Sequence, residues 1–396
     1  MGRSEQNALR KSIGPRGRNV GHYKSKPNRR WLKRTFIGVS SLAVVVALLV
    51  AAGWFYLQYD LDHITRIAIP GDLIRPAAAG RPFNVLLVGS DSRAGVDGSQ
   101  SGSLGSSAEV SGQRSDVIVV VHVVPATHQV TMLSIPRDLW VDIPGKSTVS
   151  GPNKINAAFN SGPALLIQTI ETDLGIPIDH FAEVGFESFQ TMVNDVGGVY
   201  LDFPMPVIDQ KSGLKVTTTG CQLVKGTEAL ALVRSRYLYY FQGGAWHQDV
   251  QSDFSRIRRQ DAFFRALLDR VRGSIANPIA MIGFVNSTSN AVTIDSSWSS
   301  GDLVSLADDM HAVSSTSLVT ETLPVTESVR SGTDILLQAE PYGRAMIARL
   351  LAEGAAPASA PGSSPTTTAA PVTATIPPNV VTNTEPEPWN PSPCTP

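Results

Sequence analysis

The chain has 396 residues, 42% hydrophobic and 17% charged, with 33 Lys+Arg against 34 Asp+Glu and a formal net charge of −1. That length and apolar content allow one large domain or two small ones with a sizeable core, plus appendages. Two cysteines, Cys221 and Cys394, are too few for a disulfide framework or a metal cluster. Cys394 falls in a Pro-rich tail, and no bridge between the two is expected.

The net charge hides an asymmetry. Residues 1–34 carry eleven Lys and Arg against one acid, Glu5, and segment 1–35 has no apolar periodicity, so it reads as a basic disordered segment. Basic arms can bind nucleic-acid phosphates, but the next stretch gives the charge another reason. Phe36 to Tyr56, FIGVSSLAVVVALLVAAGWFY, contains no charge. About 21 residues at ~1.5 Å rise span roughly 30 Å, a bilayer core. Trp31 on one side and Trp54, Tyr56 and Tyr59 on the other suit the two interfaces. Arg29, Arg30, Lys33 and Arg34 precede the stretch and Asp60 and Asp62 follow it. The positive-inside rule predicts a single-pass anchor at 36–56, with a cytoplasmic N-terminus and an extracellular remainder. A cleaved signal peptide would be shorter and nearer the N-terminus.

Residues 57–81 read as a membrane-proximal spacer and 82–353 as the folded domain. Phe83–Val88 is a buried strand that runs into Asp91 and Arg93, and ligands of open α/β sheets bind at the carboxyl ends of strands. Residues 94–113 are Gly/Ser-rich and read as a loop. Arg114 to Trp140, RSDVIVVVHVVPATHQVTMLSIPRDLW, then reads as two β-branched strands joined near Pro125–His128. The first is almost continuous Val and Ile, the pattern of a strand covered on both faces, in the middle of a sheet sandwiched by helices. A hairpin brings its open ends together, so Arg114 and Asp116 should meet Arg137 and Asp138. Guanidinium forks take phosphoryl oxygens and carboxylates take a hard cation; the alternative is a salt-bridged strand end.

Beyond Trp140 the pattern predicts a helix from Asn156 toward Asp173 broken at Pro163, a strand over 176–184, a helix over 186–196, a strand over 199–203 and an edge hairpin at 214–219. Gly226–Arg236 reads as a helix whose last turn holds Arg234 and Arg236, where cations offset the helix dipole. Residues 237–252 form an aromatic, Gly-containing loop. Ser255–Arg272 is a helix with Ile257, Phe264, Leu268 and Val271 on one stripe. Arg256 and Gln260 flank that stripe, where a charge needs a ligand or an internal acid as partner; Arg258 and Arg259 are expected to face solvent. Residues 275–353 read as further helices with one strand near 318–325 and a last amphipathic helix at 341–353. Residues 354–396, rich in Pro, Ala, Ser and Thr, read as an extended, disordered extracellular tail. No internal repeat, Walker-type loop, GxSxG elbow or Cys/His cluster is present.

Six arginines converging beside a few aspartates describe a site for a polyanion and a cation. Phosphoryl transfer suits such a set, because it needs positioning and charge stabilisation more than a covalent nucleophile.

The motifs NVLLVGSDSR, RSDVIVV, LSIPRD, KINAAF, ALALVRSR and D-x-x-R-x-x-R-Q, collinear over roughly residues 82–273, resemble the LytR-CpsA-Psr family of Gram-positive bacteria. The resemblance implies an α-β-α fold: a central mixed β-sheet sandwiched by helices, with a hydrophobic lipid pocket. It implies a phosphotransferase that moves a glycopolymer, such as arabinogalactan or teichoic acid, with its linking phosphate. The donor would be a polyprenyl-pyrophosphate carrier and the acceptor a muramic acid hydroxyl of peptidoglycan. Asp91 and Asp116 would hold Mg²⁺ (or Mn²⁺). Arg93, Arg114, Arg137, Arg234, Arg236, Arg256 and Gln260 would grip the pyrophosphate, and Arg114, Asp116, Arg137 and Asp138 would form the catalytic group. The sequence departs from the family pattern in its Gly/Ser insertion after Asp91 and in the long segment between Arg236 and Asp253. A polyprenyl-pyrophosphate pyrophosphatase and a non-catalytic wall-binding or regulatory membrane protein remain alternatives. No nucleic-acid partner is expected, since the predicted topology puts the folded domain outside the membrane.

Overall fold

The computed structural model describes residues 59–78, 80–90, 115–274, 292–313, 318–354, 380–382 and 387–395, with single positions at 289 and 377. The expected anchor 36–56, the basic segment 1–35 and the Gly/Ser-rich stretch 94–113 lie outside these residues. Among the described residues no helix is long and apolar enough to cross a membrane.

In chain order, β1 (Thr65–Ile67), β2 (Phe83–Ser90), β3 (Ser115–Val124) and β4 (Gln129–Ser134) are followed by the small hairpin β5 (Trp140–Ile143) and β6 (Gly151–Lys154). Two short helices, α1 (Asn156–Phe159) and α2 (Pro163–Thr169), lead to β7 (His180–Gly185) and α3 (Phe186–Asp195). Then come β8 (Val199–Phe203), β9 (Val207–Asp209), β10 (Leu214–Val216), β11 (Gly220–Val224) and α4 (Gly226–Arg234). The hairpin β12 (Tyr239–Gln242) and β13 (Ala245–Gln248) precedes the long helix α5 (Ser252–Ser274). The rest is β14 (Val292–Asp295), α6 (Ser300–Ala312), β15 (Leu318–Thr322), the hairpin β16 (Val325–Arg330) and β17 (Thr333–Gln338), α7 (Tyr342–Ala352) and the short β18 (Ser392–Pro393).

The main sheet has seven strands in the order β1-β14-β7-β2-β3-β4-β15 and is mixed: β2 runs parallel to β7 and antiparallel to β3. β3 and β4 form the predicted hairpin, with Val119 opposite Ser134 and Val124 opposite Gln129. As the unbroken Val/Ile run predicts, β3 is covered on both faces. Ile118 and Val120 join the core built with α1, α2 and α7, while Val119 and Val123 join the opposite core, against which Phe264 and Leu268 of α5 pack. Burial of each such side chain is worth about 1.5–3 kcal/mol. The central sheet and the helical cover on both sides therefore follow the sequence.

A third core joins α3, α4 and α5 to the strands β8 to β11, through Val193, Leu201, Phe203, Leu230 and Phe263. α4 starts hard against α3. A Cβ on Gly226 would lie 2.2 Å from the Gln190 carbonyl oxygen, so only glycine fits that crossing.

Several expectations are corrected. Thr65–Ile67, in the segment read as a spacer, pairs with β14 and forms an edge of the main sheet. Within 237–252, Tyr239–Gln248 form a hairpin, and β16–β17 form another where helices were expected. Cys221 and Cys394 are bonded to each other, 173 positions apart. The end of the expected tail is structured: β18 pairs with β8, and Trp389 stacks on Tyr240 at 4.2 Å. Arg259, expected in solvent, is fully buried. It donates to Asp249 at 3.1 Å, the Ser235 carbonyl at 2.7 Å and Asn390 at 3.0 Å. Arg258 pairs with Glu387. Both arginines face the returning C-terminal segment, which no helical periodicity can reveal.

Candidate functional site

The β3–β4 pairing continues one step past β4, where the Ile135 amide bonds to the Ile118 carbonyl at 2.9 Å. Arg137 and Asp138 follow directly. Asp138 gathers three cations: Lys154 Nζ at 2.8 Å, Arg236 Nη2 at 3.6 Å and Arg137 Nε at 3.8 Å. Arg236 continues the chain to Asp253, with Nε 2.8 Å from Oδ1, and Asp253 also receives Arg256 at 3.2 Å. Arg137, Lys154, Arg236 and Arg256 thus share Asp138 and Asp253, which leaves an excess of positive charge. Arg256, on the α5 flank, has its internal acid: Asp253, one turn earlier.

The loop carrying Arg236 is pinned from beneath. α4 ends at Arg234, two residues earlier than expected, and the chain turns at Ser235. Buried Asp209 accepts the Ser235 hydroxyl at 2.8 Å and the amides of Arg236 and Tyr237 at 3.0 and 2.9 Å. Arg259 holds the Ser235 carbonyl from the other side. Burial presses the Arg259 guanidinium below its ordinary range, and Asp249 acts against that shift.

Beside this cluster lies an apolar cavity of about 320 Å³. Leu87, Gly89 and Val117 of the sheet form one wall, and Phe186 and Met192 of α3, Leu230 and Val233 of α4, and Phe264 and Leu267 of α5 form the others. Arg234 and Gln260 are the two polar side chains among its lining residues. Arg234 lies over the Phe186 ring, 4.5 Å from its centroid, and the Gln260 amide donates to the Val233 carbonyl at 2.8 Å. An apolar chamber with cations at its margin fits an amphiphile with an apolar chain and an anionic head.

The chain matches the model of the LytR_cpsA_psr family over residues 65–349. It belongs to that family. Among relatives of this family, it is 36% identical to the probable cell wall biosynthesis protein LcpB of Corynebacterium glutamicum over 294 residues, covering 74% of this chain and 64% of that protein. It is 35% identical to TagV of Bacillus subtilis, a polyisoprenyl-teichoic acid–peptidoglycan teichoic acid transferase, over 51% of this chain and 46% of that protein. The chain spans about half to two thirds of the length of these curated relatives. Among solved structures, the LytR-Csp2A-Psr enzyme from Actinomyces oris superposes with a TM-score of 0.57 at 25% identity, covering 72% of this chain and 95% of that one. Bacillus subtilis TagV gives 0.52 at 25% identity, covering 70% of this chain and 98% of the other. The mixed α/β LytR_cpsA_psr fold is shared with both.

Of the ten site residues named from the sequence, Arg137, Asp138, Arg236 and Arg256 fall in one ion-pair network, and Arg234 and Gln260 line the adjoining cavity. Asp91, Arg93 and Arg114 lie outside the described residues, as does the side chain of Asp116. The Asp116 backbone is described: Gly89 pairs with Val117 and Ser90 with Ser115, so Asp116 is the extra residue of a β-bulge at the end of β2. Bulges of this kind recur beside active sites. Among the described residues no group of three His, Cys, Asp or Glu could hold a metal ion.

Sequence reading missed Lys154, Asp253, Asp209 and Arg259 as members or supports of the site. Lys154 opens the KINAAF motif, and Asp253 opens D-x-x-R-x-x-R-Q at i, i+3 spacing from Arg256, so both carried a signal. Asp209 carried none, because the groups it holds at the site, the Ser235 hydroxyl and the Arg236 and Tyr237 amides, are distant in sequence.

Proposed function

We propose that this chain is a phosphotransferase of the extracellular face. It moves a glycopolymer with its linking phosphate from a polyprenyl-pyrophosphate carrier to a muramic acid hydroxyl of peptidoglycan. The observation that carries this reading is the apolar cavity bounded by Arg234 and Gln260, beside the Arg137–Asp138–Arg236 network. A relative, the polyisoprenyl-teichoic acid–peptidoglycan teichoic acid transferase TagV of Bacillus subtilis, supports the same reaction class.

On this reading the isoprenoid chain occupies the cavity, and Arg234, Arg236, Arg256 and Arg137 receive the pyrophosphate oxygens, with Arg93, Arg114 and Gln260 assisting. The acceptor oxygen forms a bond to the phosphorus that bears the glycan. The bond from that phosphorus to the bridging oxygen breaks, polyprenyl phosphate leaves with the bridging oxygen, and the proton of the acceptor hydroxyl passes to an oxygen of that leaving phosphate. Preorganised guanidiniums at the developing charge are worth more in such a half-buried setting than in water. Asp138 already accepts from Lys154 and faces two arginines, which suits it to orienting Arg137 and Arg236. Asp91 and the bulge residue Asp116 are hard oxygen donors at one strand end, and they would hold Mg²⁺ or Mn²⁺, which neutralises phosphoryl charge. The anchor at 36–56 would keep the domain at the membrane, where the donor resides.

The test is transfer of a labelled polyprenyl-pyrophosphate glycan to wall fragments by the purified full chain, with and without EDTA. Mass spectrometry of the co-purifying lipid should find a polyprenyl pyrophosphate. Release of glycan phosphate to water alone, with no product on the wall, would establish the pyrophosphatase instead. Protease cleavage of a C-terminal tag on intact cells tests the orientation.

A further inference from the structure

The hairpin β12–β13 is largely uncovered. Every residue from Phe241 to Gln248 is exposed. Its two faces differ. One carries Tyr240, which stacks on Trp389 at 4.2 Å and on His247 at 5.5 Å and anchors the hairpin to the protein. On the other, Tyr239 and Phe241 alternate with Tyr240, and Trp246 stands opposite Phe241 with its ring 5.2 Å away. Tyr239, Phe241 and Trp246 are 39%, 38% and 43% exposed. Gln248 is paired with Tyr239 and gives this face an amide at its edge. Contiguous exposed aromatic rings mark a recognition surface far more often than scattered apolar residues do.

Two observations identify the occupant. The hairpin is continuous with the proposed active site: Arg236 enters it, Asp253 follows it, and the two side chains close its base at 2.8 Å. The stretch Tyr237–Gln248 contains no Asp, Glu, Lys or Arg. Two lysines border it from outside its strands: Lys211 lies over the Tyr237 ring, 3.6 Å from its centroid, and exposed Lys215 of β10 shares the sheet face of Tyr239 across β9. Resting on the proposed function, we propose that the Tyr239–Phe241–Trp246 face binds the glycan of the donor, and that this glycan is an uncharged polysaccharide whose sugar C–H faces stack on the rings. A polyol-phosphate polymer would need cations along the hairpin, and a wall strand carries charged peptide stems, so a neutral sugar chain is the match.

The full chain is assayed with three polyprenyl-pyrophosphate donors, carrying one sugar, about ten neutral sugars, or a poly(glycerol phosphate) chain. The wild type is expected to use the long neutral donor with kcat/KM about tenfold above the single-sugar donor. Phe241→Ala with Trp246→Ala should remove that preference, leave the single-sugar rate and the unfolding midpoint unchanged, and Trp246→Tyr should restore most of it. Equal losses on both neutral donors, or none, overturn the proposal. So does a preference for the phosphate polymer that the hairpin variants abolish, a change confined to the KM of the wall acceptor, or a loss only of binding to phosphatidylglycerol vesicles. If the wild type transfers none of the donors, the proposed function fails by itself. The platform is then tested by titrating the free neutral decasaccharide: a fluorescence change absent from Trp246→Phe supports it, and no change overturns it.

Discussion

The carboxylate of Asp209 accepts the backbone N–H of Arg236 at 3.0 Å. The same oxygen takes the Ser235 hydroxyl and the Tyr237 amide, and the other takes the amides of Lys211 and Ser212 at 2.9 and 3.2 Å. A buried carboxylate with five donors fixes the direction in which Arg236 leaves α4. Asp209→Asn turns an N–H toward some of these donors and should cost about 2–3 kcal/mol in urea unfolding. It should also weaken pyrophosphate binding, though Asp209 touches no substrate; an unchanged affinity would remove its positioning role.

Arg137 and Arg236 share Asp138, so loss of either leaves the carboxylate with two cations and the fold intact. Arg137→Ala and Arg236→Ala should each lower transfer by about 10²–10³, the usual effect of one lost charge-stabilising donor, with little change in unfolding midpoint. Single-turnover transfer rates read this directly, and near-normal rates would remove these arginines from the site.

The cavity gives an independent handle. Met192→Trp should fill much of its 320 Å³. The chain should then purify folded but without bound polyprenyl lipid, as mass spectrometry of organic extracts would report.

Asp261 on α5 provides a pH test. Burial raises its carboxyl to about 7, although Arg265, Thr320 and Arg258 pull the other way. Below about pH 4 it is neutral in both folded and unfolded chains. Between pH 4 and 7 the unfolded chain ionises first, so stability falls as pH rises, by up to about 4 kcal/mol. Asp261→Asn should be more stable than the wild type at pH 8 and equal to it near pH 4, as measured by urea midpoints across that range.

The Cys221–Cys394 bond holds β18 on β8 and brings Glu387 and Asn390 against Arg258 and Arg259. Cys221→Ser, or reduction of the wild type, should cost about 2–5 kcal/mol. It should also open the C-terminal segment to proteolysis before the main sheet unfolds.

The sequence by itself determined the centre of this protein. A run of Val and Ile from Val117 to Val124 can only be satisfied by cover on two sides, and the structure covers β3 on both faces. The hairpin pattern also drew attention to Arg137 and Asp138 just beyond its second strand, and the apolar stripe made the helix that carries Arg256 and Gln260 legible. Periodicity reports only which side of an element is apolar, and it is silent about what returns to cover the rest. Arg259 looked like solvent surface because its partners, Asp249, Ser235 and Asn390, come from three other places in the chain. Asp209 went unnoticed because the groups it holds at the site, the Ser235 hydroxyl and the amides of Arg236 and Tyr237, come from elsewhere in the chain. The Pro-rich tail looked structureless because its anchoring depends on one cysteine finding another 173 positions away. Local patterning fixed the sheet and its charged edge. Tertiary contact alone decided which buried charges hold Arg236 in place, because a buried charge is stable only where the folded chain supplies its partner.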